Sequence, residues 1–240
     1  VSKISIIAPA YNEGKRIRKF LEKTVSVMNS LGFDYEVVLV DDGSVDNTRE
    51  EALSAAQDPH VKVVGYDNNI GKGFALKYGF AYTTGDIIAF IDSDLEISPQ
   101  QIAKYVSATE KGSIVAASKW HPESHVEMPI VRKFLSCGFN LAVKLLTGLR
   151  VSDTQSGLKA FRREALEKIL PRLSMKRYAF DVEFLTVANL YGFKIMEYPI
   201  SIKMMDRPRF KPLFNMVCAM LVEILGITYR LRILKWYNRH

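Results

Sequence analysis

Two cysteines in 240 residues are too few for a disulfide framework, and Cys137 and Cys218 do not show the paired spacing of a metal site. Both sit in apolar, helix-like stretches, so small buried thiols in a reducing compartment are expected. Internal repeats and low-complexity segments are also missing, which leaves neither a solenoid nor a disordered linker to account for. No leader-like segment precedes the first strand-like run, since Ser2-Lys3 leads directly into Ile4–Ala8; on that ground the site is expected to face the cytoplasm. An uninterrupted apolar run of membrane-spanning length is absent as well. The best candidate, the 18 residues between Lys211 and Arg230, contains Pro212, Asn215, Glu223 and Gly226. A span needs about 20 mostly apolar residues, and an acid near its middle costs roughly 3 kcal/mol. An interfacial helix is the expectation, with Arg230, Arg232, Lys235 and Arg239 at anionic headgroups and Trp236 and Tyr237 at the interface.

What is present describes a folded chain: 48% hydrophobic and 25% charged residues. The net charge of +7 is concentrated at one end. From Lys203 onward eight Lys or Arg face only Asp206 and Glu223, a net of +6 in the last 38 residues. Such a tail calls for an anionic partner, a phosphorylated ligand or a membrane surface. Nucleic acid is not expected, because these charges and aromatics ride on a strongly apolar helix. The length suits one α/β domain over 1–202 and an appendage over 203–240, made of a basic loop and an amphipathic membrane-associating helix.

Ile4–Ala8 reads as a first strand and Pro9-Ala10-Tyr11-Asn12-Glu13-Gly14 as the loop at its carboxyl end. Residues 17, 20, 21, 24, 25, 28 and 31, apolar but for Thr24, predict a helix over about 15–31. Glu36–Val40 is a second strand, ending in Asp41-Asp42-Gly43-Ser44, where Gly43 allows a tight turn and Asp46 or Thr48 can cap the next helix. Val61–Gly65 is a third strand, and Asn69-Ile70-Gly71-Lys72-Gly73 opens a helix running to about Tyr82. The run Ile87-Ile88-Ala89-Phe90-Ile91 ends in Asp92-Ser93-Asp94, and Ile114–Ser118 is a further strand.

Strands alternating with helices imply a mostly parallel sheet covered on both faces. The unusual loops all follow strands, so Asp41, Asp42, Asp92 and Asp94 are expected to line one crevice at the sheet's carboxyl edge. One Asp-x-Asp pair carries little weight. Two acidic strand ends together ask for a cation, because converging carboxylates repel one another; a divalent metal with a phosphate is the natural guest. Further on, Ile130–Leu149 reads as an amphipathic helix with Arg132 and Ser136, four apart, on one face. A helix packed on the domain and one lying in a membrane surface both accommodate that pattern.

Four of these stretches resemble, in order and spacing, the signature of the family 2 glycosyltransferases, which use nucleotide sugars and have the GT-A fold: Pro9–Glu13, Val40–Ser44 with Asp46 and Thr48, Asn69-x-Gly71-Lys72-Gly73, and Asp92-Ser93-Asp94. The resemblance implies a nucleotide and metal half over 1–118 and an acceptor half over 119–202. It places Pro9, Tyr11, Glu13, Asp41, Asp42, Lys72, Asp92 and Ser93 at the nucleotide sugar. Asp92 and Asp94 would hold Mg²⁺ or Mn²⁺ at the diphosphate, with Glu96 as a further ligand. Val151–Phe161 is similar to the Asp-x-x-Ser-Gly stretch of the polyprenyl-phosphate branch, the dolichyl-phosphate mannose synthases and glucosyltransferases. In that branch groups matching Lys119, Arg132 and Ser136 bind the acceptor phosphate. Lys119 stands where Arg is usual, keeping the charge and losing the bidentate fork. Asp206–Lys211 resembles the family's mobile basic loop, which puts Arg207 at the diphosphate. Tyr178–Glu183 and Leu221–Leu234 look closer to the glucosyltransferases.

The resemblance thus implies inverting transfer of a hexose from UDP-glucose or UDP-N-acetylglucosamine to dolichyl or polyprenyl phosphate at a membrane surface. A phosphate monoester, with a second pKa of about 6, attacks without a general base. The catalytic set is then Asp94, Lys119, Arg132, Ser136 and Arg207. Three other readings stay open: GDP-mannose as donor, a hydroxyl acceptor with Asp181 or Asp153 taking its proton, and a nucleotide-sugar binding protein without turnover.

Overall fold

The computed structural model describes residues 2–203 and 210–238, with the backbone alone described for 210–216. The first half alternates as the sequence predicts: β1 (Ile4–Ala10), α1 (Ile17–Leu31), β2 (Tyr35–Asp42), α2 (Thr48–Ala55), β3 (Val61–Tyr66), α3 (Lys72–Phe80), β4 (Ile87–Phe90), α4 (Ile102–Ala108) and β5 (Ile114–Ser118). The second half adds β6 (His125–Glu127), α5 (Ile130–Thr147), β7 (Lys159–Arg162), α6 (Arg163–Ile169), α7 (Phe180–Leu190), β8 (Ile195–Pro199), β9 (Ser201–Lys203) and α8 (Phe210–Thr228). Seven strands form one sheet in the order β3-β2-β1-β4-β7-β5-β8, and β6 pairs with β9 beside it. The sheet therefore runs through both halves of the domain.

Its strands read as apolar runs because both faces are covered. All eight residues of β2 are buried. Alternation along the strands divides them between two cores: Ile4, Ile6, Val37 and Leu39 pack with α1 and α4 through Phe20, Leu21 and Tyr105. Ile7, Val38 and Val40 pack with α3 and α7 through Leu76, Phe180 and Phe184.

One strand departs from the parallel pattern. β7 runs antiparallel to both β4 and β5, with Lys159 opposite Phe90. Its start, not its end, therefore lies at the carboxyl edge, and the 153–158 loop is delivered beside Asp92 and Asp94. A purely parallel sheet would send that loop to the far edge.

The two cysteines are exposed, contrary to the expectation of buried thiols. Cys137 is on α5 and Cys218 on α8, and α5 buries only Phe139 and Val143. An apolar helix covers its neighbours with one stripe, and the rest of its apolar surface faces outward. Ile130, Phe134, Leu141 and Leu145 of α5 and Val222 and Leu225 of α8 are exposed in the same way. Among the described residues no helix is long and apolar enough to cross a membrane.

The far side of α8 belongs to the core, where Met220, Ile224 and Ile227 are joined by Tyr237. Its one acid is built into the fold: Glu223 Oε2 accepts the Ala179 N–H at 2.7 Å, at the start of α7. Glu183, fully buried on α7, accepts from the Ser174 and Met175 N–H groups at 2.9 and 2.7 Å and from the Tyr237 hydroxyl at 2.5 Å. Arg230 Nη2 lies 3.6 Å from the same carboxylate. The C-terminal segment is thus clasped to the 174–178 loop.

Candidate active site

The loops after β1 and β2 are zipped together. The Asn12 N–H donates to Ser44 Oγ at 3.0 Å, and Asn12 Oδ1 accepts the Val45 N–H at 3.0 Å. The Glu13 N–H donates to Thr48 Oγ1 at 2.7 Å, and the Gly14 N–H to Asp46 Oδ2 at 3.2 Å. Asp46 also accepts the Thr48 N–H at 3.0 Å, although the N-cap position of α2 is Asn47, which makes no side-chain cap bond, and not Asp46 or Thr48 as the sequence suggested. Asp42 is saturated: its carboxylate accepts from Tyr66 Oη at 2.7 Å, Asn69 Nδ2 at 2.9 Å, and the Ile70 and Gly71 N–H groups at 2.9 and 3.0 Å. It pins the Asn69–Gly73 loop across the cleft.

These loops wall a cavity of about 380 Å³ whose lining includes Pro9, Tyr11, Glu13, Asp42, Lys72, Asp92, Ser93 and Asp94. Seven of the eight residues placed at the nucleotide sugar by resemblance thus come together. Asp41 does not. Successive side chains on a strand point to opposite faces, so Asp41 and Asp42 cannot both face the cleft. Asp41 is buried, and its Oδ1 accepts the Ser44 N–H at 3.1 Å. Of the four aspartates expected there, Asp42, Asp92 and Asp94 line the crevice.

A second cavity of about 220 Å³ adjoins the first, and its wall brings Asp92, Asp94 and Glu96 together with Lys119, Arg132 and Ser136. On α5 the lining positions 132, 135, 136 and 139 form one helical face, which puts Arg132 and Ser136 side by side. Met128, Leu135, Phe139 and Met220 make the rest of that wall largely apolar. Lys119 is less available than its charge suggested: Nζ lies 2.8 Å from Asp153, whose side chain is fully buried. Burial pushes the Asp153 carboxyl up, but the Lys119 ammonium and the Lys119 and Gln155 N–H groups outweigh it and hold the group below the usual carboxylate range.

Asp94 is different in kind. Burial first, then the Asp92 charge and the nearby Glu96, push its carboxyl up to about 6, against the opposing Glu96 N–H and Lys72. Leu95 sits in the left-handed region at φ 65°, costly for a branched side chain, and the Glu96 N–H closes the turn on Asp94 Oδ1 at 2.9 Å. Gly157 makes room for the pair: a Cβ there would fall 2.0 Å from Asp92 Oδ2. Crowded hard oxygen donors of this kind suit a divalent cation. Among the described residues, no three His, Cys, Asp or Glu side chains converge as a preformed metal cage. The cation present is Lys72, whose Nζ is 2.5 Å from Asp92 Oδ1 and 4.0 Å from Asp181. Burial lowers Lys72, and the charges of Asp92 and Asp181 reverse that, so its ammonium is held above the ordinary lysine range.

Asp181 also lines the larger cavity, with Oδ1 accepting from Lys159 Nζ at 2.7 Å. Arg207 lies outside the described residues. Sequence reasoning missed Gln155 and Arg177, both on the larger cavity's wall; the basic pair Lys176-Arg177 just ahead of α7 was the available signal for the second.

An open, mostly parallel sheet with acidic strand ends over a divided cleft is the GT-A architecture of the nucleotide-sugar transferases. The chain belongs to glycosyl transferase family 2, whose profile matches residues 5–170, and it is a glycosyltransferase. It is 30% identical to a dolichyl-phosphate beta-glucosyltransferase of Trichomonas vaginalis, over 98% of this chain and 76% of that protein. It is 34% identical to an undecaprenyl-phosphate 4-deoxy-4-formamido-L-arabinose transferase of Yersinia enterocolitica, over 71% of this chain and 52% of that one. Among solved structures, glucosyl-3-phosphoglycerate synthase of Mycobacterium tuberculosis, crystallised with Mn²⁺, UDP and glucosyl-3-phosphoglycerate, has the same fold. The TM-score is 0.71 at 22% identity, covering 95% of this chain and 80% of the other.

Proposed function

We propose that this chain is an inverting, membrane-associated hexosyltransferase that moves a sugar, glucose from UDP-glucose foremost, to the phosphate of dolichol or another polyprenol. The observation that carries this reading is the smaller cavity, where Arg132 and Ser136 share a wall with Asp92, Asp94 and Glu96. A phosphate acceptor needs cationic and hydroxyl donors beside the leaving diphosphate, and the apolar residues of that wall suit a lipid chain. Relatives named dolichyl-phosphate beta-glucosyltransferase support both acceptor and sugar. The exposed apolar residues of α5 and α8, followed by Arg230, Arg232 and Lys235, support membrane contact.

Asp92, Asp94 and Glu96 would hold Mg²⁺ or Mn²⁺, which when bound neutralises charge on the departing diphosphate. Lys72 and Arg207 would add positive charge at the same phosphates. Arg132 and Ser136 would orient the attacking phosphate oxygen toward the anomeric carbon. Lys119, already paired with Asp153, would act by fixing the 153–157 loop and lending its charge. A phosphate nucleophile needs no base, which agrees with Asp181 being engaged by Lys159.

The test is transfer from labelled UDP-glucose, UDP-N-acetylglucosamine and GDP-mannose to dolichyl phosphate in vesicles, with Mn²⁺ or Mg²⁺. Label should enter the lipid phase from UDP-glucose and disappear with Asp94→Ala. Label from GDP-mannose alone would move the donor. Metal-dependent donor hydrolysis without a lipid product would overturn the acceptor and make Asp181→Asn the next variant.

A further inference from the structure

The two cavities have four lining residues in common: Asp92, Asp94, Gln155 and Tyr178. Group transfer places the migrating group between donor and acceptor, so these four surround it if the transferase reading holds. Two of them are the acids of the Asp-x-Asp pair. Gln155 and Tyr178 have no part in the function described so far.

Gln155 carries a second, independent peculiarity. Its side-chain Nε2 is buried and, among the described residues, has no hydrogen-bond partner. Native proteins rarely leave such a donor unpaired, and those that do usually have a functional reason or a guest to receive the bond. The loop around it is held hard. The Gln155 N–H donates to Asp153 Oδ1 at 3.0 Å, Ser156 Oγ donates to Asp153 Oδ2 at 3.0 Å, and the Ser156 carbonyl accepts from Lys159 Nζ at 2.7 Å. Among the described residues this loop carries two buried side-chain atoms without a partner, Thr154 Oγ1 and Gln155 Nε2, and of the two residues only Gln155 lines both cavities.

The chemistry of the surroundings selects the guest. No cationic residue lines both cavities: Lys72 and Arg177 line the larger alone, with Lys72 paired to Asp92, and Lys119 and Arg132 line the smaller alone. The two residues that share the junction with Gln155 and Tyr178 are carboxylates, which accept a hydroxyl proton. A sugar hydroxyl both accepts and donates, so one group can receive the Gln155 N–H and give its own proton to a carboxylate. The Tyr178 ring, 45% exposed, supplies an apolar face at the same place.

We infer that Gln155 is a specificity-determining residue whose side-chain amide donates a hydrogen bond to one hydroxyl of the transferred sugar; this rests on the transferase reading above. The test pairs Gln155→Met, which keeps the side chain's length and removes the donor, with monodeoxy analogues of whichever donor the wild type transfers among UDP-glucose, UDP-N-acetylglucosamine and GDP-mannose. On the full sugar, kcat/KM should fall at least about tenfold, as expected when a hydroxyl-reading contact is lost. The wild type should suffer the same loss on one particular deoxy donor, and Gln155→Met should cost nothing more on that donor. Calorimetric affinity for UDP or GDP alone, matching the donor, should stay within about twofold, and Gln155→Glu, which offers an acceptor in place of the donor, should lose more than Gln155→Met. Equal losses on every deoxy donor, or weakened binding of the nucleotide alone, would overturn the inference while leaving the transferase intact. A wild type that transfers sugar from no donor would sink both.

Discussion

On the nucleotide side of the cleft, Asp42 receives four different donors and Asp46 ties two loops together. On the acceptor side, α5 buries two of its 18 residues and leaves Ile130 and Phe134 more than two-thirds exposed. The first region is completed by its own hydrogen bonds, and a small soluble ligand can enter a cleft that is already shaped. The second exposes apolar surface that monomeric proteins seldom leave contiguous and uncovered. The contrast fits two substrates that come from different phases, one from water and one from a bilayer. It also says where function should be separable from stability: substitutions on α5 should spare the fold, and substitutions in the clasp beneath α8 should not.

The sharpest way to break the contrast is at the junction. Asp94→Ala should reduce transfer at least about 100-fold, as when a group stabilising developing charge is removed. Its melting temperature should not fall, because the residue it deletes is a carboxyl that burial disfavours. A cooperative loss of structure would show that the Asp-x-Asp turn is a folding element.

Next in size is the clasp. Glu183→Leu removes a fully buried carboxylate from two backbone N–H groups, the Tyr237 hydroxyl and Arg230. Breaking a buried charge pair in this way costs about 3–5 kcal/mol, readable by denaturant titration. Tyr237→Phe leaves the carboxylate and loses the hydroxyl's hydrogen bonds to Glu183 and from Arg230 Nε, about 1–3 kcal/mol. An unchanged unfolding midpoint for both would mean that the C-terminal segment is an appendage after all.

On the acceptor side Phe134→Asp should weaken binding to vesicles carrying anionic lipid by about tenfold or more, the value of one buried aromatic. Its stability should stay within about 0.5 kcal/mol of the parent, as for an exposed site. Equal vesicle binding by parent and variant would remove α5 from the membrane-facing surface.

The smallest effect expected is on pH. A carboxyl raised to about 6 keeps its proton more tightly folded than unfolded, so without metal Asp94 favours the folded state at low pH and loses that contribution as pH rises through about 6. A metal must displace the same proton, so Mn²⁺ affinity should fall about tenfold between pH 7 and pH 5 and level off above pH 7. Titration calorimetry at three pH values checks this; a flat profile would mean that Asp94 is not the group that binds.

Much of the nucleotide side was legible because it is built from local signals. Strand ends followed by Asp, Asn and Gly, and a helix opening at Gly71-Lys72, lie within a few residues of one another. The acceptor side was legible only where spacing along one helix carries the information, as with Arg132 and Ser136. Gln155 was not, since nothing about a glutamine in a turn announces an unpaired amide. The two cysteines misled for a related reason: an apolar neighbourhood in sequence does not say which face of a helix is covered.

The sequence by itself determined the alternating α/β order, the acidic strand ends and the basic C-terminus, because periodicity, turn residues and charge are properties of the chain. Only the tertiary structure decided that β7 runs antiparallel and so carries Gln155 and Gly157 to Asp92, and that one of two adjacent aspartates faces the cleft. It also decided that the lone acid of α8 caps α7. Strand direction, side-chain facing and the partner of a buried charge are set by packing between segments far apart in the chain, where no local pattern reports them.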